Sequence, residues 1–244
     1  MSTSLPQQLS DNTLDAIVRH FQLTEQTGSD GGPYMRLISQ LPMVQGQVGH
    51  VRLFRGDQIE RLVTCSIVVP AMQLDSHMIF AFTASDSVLP HFTLDSVKAG
   101  EHYSYHLDLI PKLDLAAHTD YMNRIFVPLT PVFEEAEQLP GITPAHISPA
   151  QRATMSPWML VHRANAEGFA SITPFVERYR LYWQQLIADK PTFAVSNTLL
   201  AERDSANRAA IFSPEIDPVW QRIDALIGAE AGQQLRTLLK TNHA

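Results

Sequence analysis

Six short runs of alternating apolar and polar residues constrain the fold of this 244-residue chain more than any other sequence feature. They cover roughly residues 34–40, 47–55, 59–69, 76–84, 90–98 and 102–110. Alternation with a period of two is typical of β-strands. The joins between the runs, such as Lys98-Ala99-Gly100, are too short to hold helical crossovers. The runs therefore predict an antiparallel meander.

Helical periodicity flanks these runs on both sides. Before them, residues 12–24 place apolar side chains at spacings of three and four, with Asp11 and Asn12 as candidate caps. From Leu115 onward the helical period returns, and Asp217 ahead of Pro218 predicts the start of one late helix. One helix before a sheet and several after it predict an α/β fold, a three-layer α/β/α sandwich with a central antiparallel sheet flanked by helices. We expect a single domain over residues 1–244.

Composition excludes several classes of function. The single cysteine, Cys65, rules out internal disulfides and sites that need several thiolates, so we expect no bound metal. A net charge of -7 with scattered basic residues argues against a nucleic-acid or anionic-membrane surface. With neither a long apolar run nor a secretory signal in the sequence, we expect a cytoplasmic protein. Its oligomeric state is not legible, and a homodimer is the default expectation.

Two neighbouring predicted strands each carry one polar face. In the strand predicted over residues 90–98, alternation places His91, Thr93 and Asp95 on one face. In the strand predicted over residues 102–110, it places four polar side chains on one face, those of His102, Ser104, His106 and Asp108. Helices that covered this face would leave uncompensated polar groups inside the protein, which is costly. The face therefore lines a pocket or is exposed to solvent, and pattern alone favours solvent, since half-exposed antiparallel sheets are common.

Sequence motifs shift that balance towards a pocket. Residues 89–95 read Leu-Pro-His-Phe-Thr-Leu-Asp, residues 106–115 read His-Leu-Asp-Leu-Ile-Pro-Lys-Leu-Asp-Leu, and residues 118–121 read His-Thr-Asp-Tyr. In order and spacing they resemble red chlorophyll catabolite reductase and, more loosely, the ferredoxin-dependent bilin reductases. A weaker likeness covers residues 200–228, with Glu-Arg-Asp at 202–204. The chlorophyll catabolite reductase has Glu where Asp95 stands, so the carboxyl group is kept but the length of the side chain that carries it differs.

The resemblance implies ferredoxin-dependent reduction of an open-chain tetrapyrrole, a red chlorophyll catabolite or a bilin, without a bound redox cofactor. Reduced ferredoxin or flavodoxin would supply single electrons, each followed by a proton. An acid that holds a proton at neutral pH needs a raised pKa, which burial beside a pigment provides. The resemblance assigns catalysis to Asp95 and Asp204. The alternative for Asp204 is a structural role without catalysis, in a salt bridge with Arg208 on a helix surface.

Four further residues are candidate pigment ligands, His91, Thr93, His102 and His106. For each histidine a structural role is the alternative, and for Asp108 we expect that it orders the turn before Pro111. Arginines suit the carboxylates of a pigment, and the candidate clamps are Arg152, Arg163, Arg178 and Arg180. Two other functions stay open. One is a pigment carrier without catalysis, and the other is a structural or partner-binding protein, which would have no deep cleft near Asp95.

Overall fold

A computed structural model describes residues 3–242 of the chain. Its strands are β1 Thr24–Gln26, β2 Met35–Ile38, β3 Gln47–Arg55, β4 Arg61–Val69, β5 Leu74–Phe82, β6 His91–Ala99, β7 His102–Ile110, β8 Ile142–Pro144 and β9 Leu160–Ala164. The helices are α1 Leu5–Phe21, α2 Thr119–Ile125, α3 Thr130–Glu137, α4 Pro149–Ala153, α5 Ala166–Ala170, α6 Thr173–Asp189, α7 Asn197–Ile211, α8 Val219–Ile227 and α9 Ala229–Lys240.

The strands of the described region form one antiparallel sheet with the order β1-β3-β4-β5-β6-β7-β9-β8. Strand β2 lies outside this order and also pairs with β3. The predicted meander is therefore confirmed from β3 to β7, with strand ends within two residues of the predicted ones. Gly100 has a φ of 61° in the turn between β6 and β7, a conformation that costs glycine little because it has no Cβ.

Helices cover both faces of the sheet, which confirms the three-layer α/β/α sandwich. On one face, Phe92 and Leu107 pack under a layer that includes α1 and α6, with Trp183 fully buried between them and α1. On the other face, Phe80 and Phe82 pack against α7, α8 and α9 through Phe212. The expectation of one domain over residues 1–244 stays a prediction.

Two local predictions were wrong. The first helix begins at Leu5 and not near residue 12, because the Ser4 side chain accepts the Gln7 N–H at 3.2 Å and Pro6 fits the first turn. The region after Leu115 is also not wholly helical, since β9 pairs with β7 and extends the sheet. At five residues, β9 is too short for its alternation to stand out from the flanking helical pattern.

Candidate active site

The polar faces of β6 and β7 lie side by side, as the alternation predicted. Thr93 pairs with Asp108 across the two strands, and Asp95 pairs with His106. Cross-strand partners point to the same side of a sheet, so these four side chains form one polar patch. The opposite side of the same strands is apolar and belongs to the core under α1 and α6. The patch therefore faces the layer of α7, α8 and α9.

A cavity of about 1160 Å³ opens between this sheet face and α8. Val97 and Ser104 form part of its floor, Arg163 on β9 lies at one side, and Arg222 and Ile223 on α8 form part of its roof. Ligand pockets in proteins usually measure about 300–1,000 Å³. The cavity is thus large enough for a ligand the size of a tetrapyrrole.

Asp95 is not itself among the residues that line this cavity, but two of its neighbours are. Met78, its partner on β5, lines the cavity, and so does Val97, two residues further along β6. The Asp95 side chain is 27% exposed, while its Oδ1 atom is buried and has no hydrogen-bond partner among the described residues. The carboxylate therefore lies close to the cavity wall, and a proton donor must come within hydrogen-bond reach of the atom that it protonates.

His106 lies next to this carboxylate. Its Nδ1 is 3.8 Å from Asp95 Oδ2, and within residues 3–242 its buried Nε2 has no hydrogen-bond partner. The Thr93 Oγ1, buried on the same face, also lacks a partner in that part of the chain. Burial alone would lower the pKa of His106, but the carboxylates of Asp95 and Asp108 raise it. The patch thus combines buried carboxylate, imidazole and hydroxyl atoms that have no hydrogen-bond partner among the described residues.

The other candidate residues occupy different places. His102 is exposed and lines the cavity near the turn that contains Gly100. Of the four candidate arginine clamps, Arg163 lines this cavity, whereas Arg152 borders a separate pocket and Arg178 pairs with Glu135. The main partner of Asp108 lies outside the turn before Pro111. Its two oxygens accept the N–H and the hydroxyl of Ser156, at 2.9 and 2.5 Å, because the chain before β9 folds back over β7.

His91 and Asp204 meet in a buried polar network near the opposite end of β6. Asp204 Oδ1 accepts from His91 Nε2 at 2.5 Å and from Lys112 Nζ at 2.6 Å. Arg208 Nη1 lies 3.5 Å from Asp204 Oδ2, and the guanidinium stacks 3.8 Å over the Phe82 ring. The side chains of both Asp204 and Arg208 are less than 5% exposed. A helix-surface salt bridge is therefore the wrong description of this pair.

Charge in this network is balanced around Asp204. Burial alone would raise the pKa of Asp204, but its contacts with His91 and Lys112 hold it well below the usual range. Burial lowers the pKa of Arg208 to about 10, which leaves it charged at neutral pH. Asp204 is thus an anion held by cations, and its predicted catalytic role requires it to gain a proton against them. That role stays a prediction.

His91 is neutral in this network. The Thr83 backbone N–H donates to His91 Nδ1 at 3.1 Å, so Nδ1 carries no hydrogen and Nε2 donates to Asp204. Burial, aided by the charge of Lys112, lowers the pKa of His91 to about 3. The ring is 1% exposed. Its predicted contact with a pigment would require this network to open.

The neutral His91 leads to a prediction about acid stability. Between its ordinary pKa of 6.5 and the folded value of about 3, the unfolded chain binds a proton at this position that the folded chain does not. Stability therefore falls as pH drops through this window, by about 1.4 kcal/mol per pH unit from this residue. We expect His91→Gln to show a pH slope smaller by that amount in urea unfolding between pH 6 and pH 4. His102→Gln, at an exposed site, is the control, and an unchanged slope in His91→Gln would contradict the assignment.

Sequence reasoning missed three residues of these sites as functional groups. Lys112 was visible only as part of a motif, and it reaches Asp204 from 92 positions away. Arg222 is adjacent to the apolar stripe of α8, which gives no sign that it lines a cavity. Asp217 was recognised as a cap, and its Oδ1 does accept the Val219 N–H at 2.9 Å, but the influence of the Asp95 and His106 charges on its pKa was not foreseen.

Between residues 3 and 242, no three histidine, cysteine or acidic side chains come together in an arrangement suited to a metal ion. Over the same stretch, none of the helices combines the length and apolar character needed to cross a bilayer.

Comparison with known proteins supports the fold. No family model matches the chain, and no curated protein matches it. Among solved structures, the chain is similar to phytochromobilin synthase from tomato, determined in complex with biliverdin. The two share 18% sequence identity with a TM-score of 0.76, over 96% of this chain and 82% of the tomato chain. The chain therefore has the fold of that protein, which agrees with the resemblance seen in the motifs.

Proposed function

We propose that this chain reduces an open-chain tetrapyrrole that binds between the sheet and α8. The observation that carries the proposal is a large cavity next to a partly buried carboxylate, that of Asp95, whose neighbours Met78 and Val97 line the cavity. The tomato protein of the same fold was solved with biliverdin, which is an open-chain tetrapyrrole. A cavity of this size beside Asp95 also disfavours a purely structural role.

The proposed reaction needs two electrons and two protons for each double bond reduced. Reduced ferredoxin or flavodoxin supplies the electrons one at a time, and the conjugated pigment accepts them directly. Asp95 transfers its proton to a pigment carbon after the first electron has arrived, which keeps negative charge from accumulating. A second electron and a second proton complete the saturated bond. The residues proposed to carry these protons are Asp95 and the adjacent His106, whose Nδ1 lies 3.8 Å from Asp95 Oδ2.

The polar ends of the pigment are proposed to meet the arginines of the cavity. Arg163 on β9 and Arg222 on α8 both line it, from the sheet side and the helix side. Guanidinium groups bind carboxylates with paired hydrogen bonds. A pigment that carries two propionates would therefore lie with those groups between the two arginines.

This placement predicts a loss of affinity. We expect Arg222→Met to weaken biliverdin binding about tenfold, the cost of one charge-assisted hydrogen bond at an exposed site. Absorbance titration measures it. Arg178→Met, which removes a guanidinium that pairs with Glu135 outside the cavity, is the matched control and should bind normally. Biliverdin dimethyl ester should bind wild type and Arg222→Met equally, and a tenfold difference with the ester would contradict the carboxylate contact.

A direct experiment tests the proposed function itself. The chain is titrated with biliverdin and with a red chlorophyll catabolite, and reduced ferredoxin is then added without air. A reductase gives a pigment spectrum that bleaches or shifts with each equivalent of ferredoxin. A carrier without catalysis binds the pigment but leaves the spectrum unchanged after electrons arrive. Absence of binding by both pigments would reject both functions.

A further inference from the structure

A serine, a histidine and an aspartate are linked in a row on the sheet face that packs against α1. Ser66 Oγ lies 3.1 Å from Nδ1 of His77, its partner across β4 and β5. His77 Nε2 lies 2.6 Å from Asp75 Oδ1, and the imidazole is 4% exposed. The cavity beneath α8 is lined by other residues, so this triad of Ser66, His77 and Asp75 has no part in the proposed reduction.

The aspartate determines which ring nitrogen of His77 carries the hydrogen. A carboxylate can only accept a hydrogen bond, so Nε2 donates to Asp75. In the neutral ring Nδ1 then has no hydrogen, and it accepts from the Ser66 hydroxyl. A hydroxyl bonded to an imidazole that a carboxylate orients is the arrangement by which hydrolases activate serine, here with the two ring nitrogens exchanged.

The serine end of the triad opens into a small pocket of about 340 Å³. Ser66 and His77 line it, together with Gln7 and Asp11 on α1 and residues 47–50 around the start of β3. Among the described residues that line this pocket there is no lysine or arginine, and Asp11 is acidic. A substrate that carries a carboxylate or a phosphate is therefore disfavoured, and the volume suits a short, uncharged acyl group.

His50 supplies a hydrogen-bond donor beside the serine. It lines the pocket and is the β3 partner of Ser66, and such cross-strand pairs have Cβ atoms about 4.5–5.5 Å apart. Burial, aided by the charge of Arg52, holds the pKa of His50 below its ordinary value, so the ring is neutral at neutral pH and has one N–H. That N–H is placed to donate to the oxygen of a carbonyl that Ser66 attacks.

We propose that this pocket is a separate catalytic site, in which Ser66 is the nucleophile that hydrolyses short, uncharged acyl esters. Ser66 Oγ bonds to the ester carbonyl carbon, its proton passes to His77 Nδ1, and the π electrons of the C=O bond move onto the oxygen. The bond to the alcohol oxygen then breaks, and the alcohol leaves with the proton from Nδ1. Water releases the acyl group in the same two steps, which return the proton to Ser66. Asp75 is a positioning residue that acts through His77.

The test uses the whole chain without pigment or ferredoxin. We expect it to hydrolyse p-nitrophenyl acetate, and we expect a fluorophosphonate to label one serine, identified as Ser66 by mass spectrometry of peptides. Ser66→Ala should abolish the labelling and slow hydrolysis by at least about 100-fold. Ser76→Ala, which removes a serine between Asp75 and His77 that points to the opposite face of β5, is the matched control and should retain both. Hydrolysis unchanged in Ser66→Ala, or a label on another serine, would overturn the proposal.

Asp75→Asn tests the positioning role. An asparagine amide can donate to Nε2, which leaves the hydrogen on Nδ1, where it blocks acceptance from Ser66. We expect kcat for p-nitrophenyl acetate to fall by at least about 100-fold with KM unchanged, since Asp75 does not line the pocket. A normal kcat would overturn the triad. Pigment reduction by Ser66→Ala should stay within about twofold of the wild type, so failure of this proposal leaves the proposed function intact.

Discussion

Asp95→Asn should bind biliverdin as tightly as the wild type and lose about 10²- to 10⁴-fold in turnover with photoreduced ferredoxin, the usual worth of a positioned proton donor. Asparagine matches aspartate in shape, and Asp95 lies next to Met78 and Val97, which line the cavity. Pigment contacts should therefore survive while the proton source is removed. Absorbance changes under single-turnover conditions measure the loss.

A matched variant tests whether any Asp→Asn substitution in this sheet lowers turnover. Asp75→Asn changes the same residue type on β5, where Asp75 Oδ1 lies 2.6 Å from His77 Nε2 on the sheet face that packs against α1. It should leave turnover within about twofold, since it lies across the sheet from the cavity. Normal turnover by Asp95→Asn would reject Asp95 as the donor. Loss of pigment binding instead would make Asp95 a ligand.

The sequence was sufficient to locate the polar patch. Strict alternation in residues 90–98 and 102–110, bounded by Pro90 and Gly100, determines which side chains share a face, because a strand has a period of two. The register of β6 against β7 follows from their tight turn, so Asp95 and His106 had to be near each other.

The network around Asp204 was beyond the reach of the sequence. Helical spacing shows that Arg208 is near Asp204, but it does not show whether solvent reaches the pair. His91 and Lys112 lie 113 and 92 residues from Asp204 in the sequence, and they contact it because α7 packs on the sheet. Such contacts depend on tertiary packing, for which local periodicity contains no signal. The same is true of Arg222, which meets the sheet only because α8 forms the roof.

Burial of this network leads to a second large expected effect. Asp204→Asn removes the counter-charge of Lys112 and Arg208, whose side chains are 1% and 2% exposed, and leaves two cations uncompensated inside the protein. Breaking a buried ion pair in this way costs about 3–5 kcal/mol. Urea unfolding at neutral pH measures the loss. Adding Lys112→Met to Asp204→Asn removes one of the two uncompensated cations, so it should restore part of the lost stability.

The two roles considered for Asp204 predict different experimental results. If the residue mainly neutralises Lys112 and Arg208, Asp204→Asn should unfold more readily, while its folded fraction keeps normal turnover at low temperature. If it donates a proton to the pigment, turnover falls even where the variant is fully folded. Glu135→Gln, which breaks an exposed pair with Arg178, sets the scale at about 1 kcal/mol or less. A stability loss for Asp204→Asn no greater than that of Glu135→Gln would contradict the buried-charge argument.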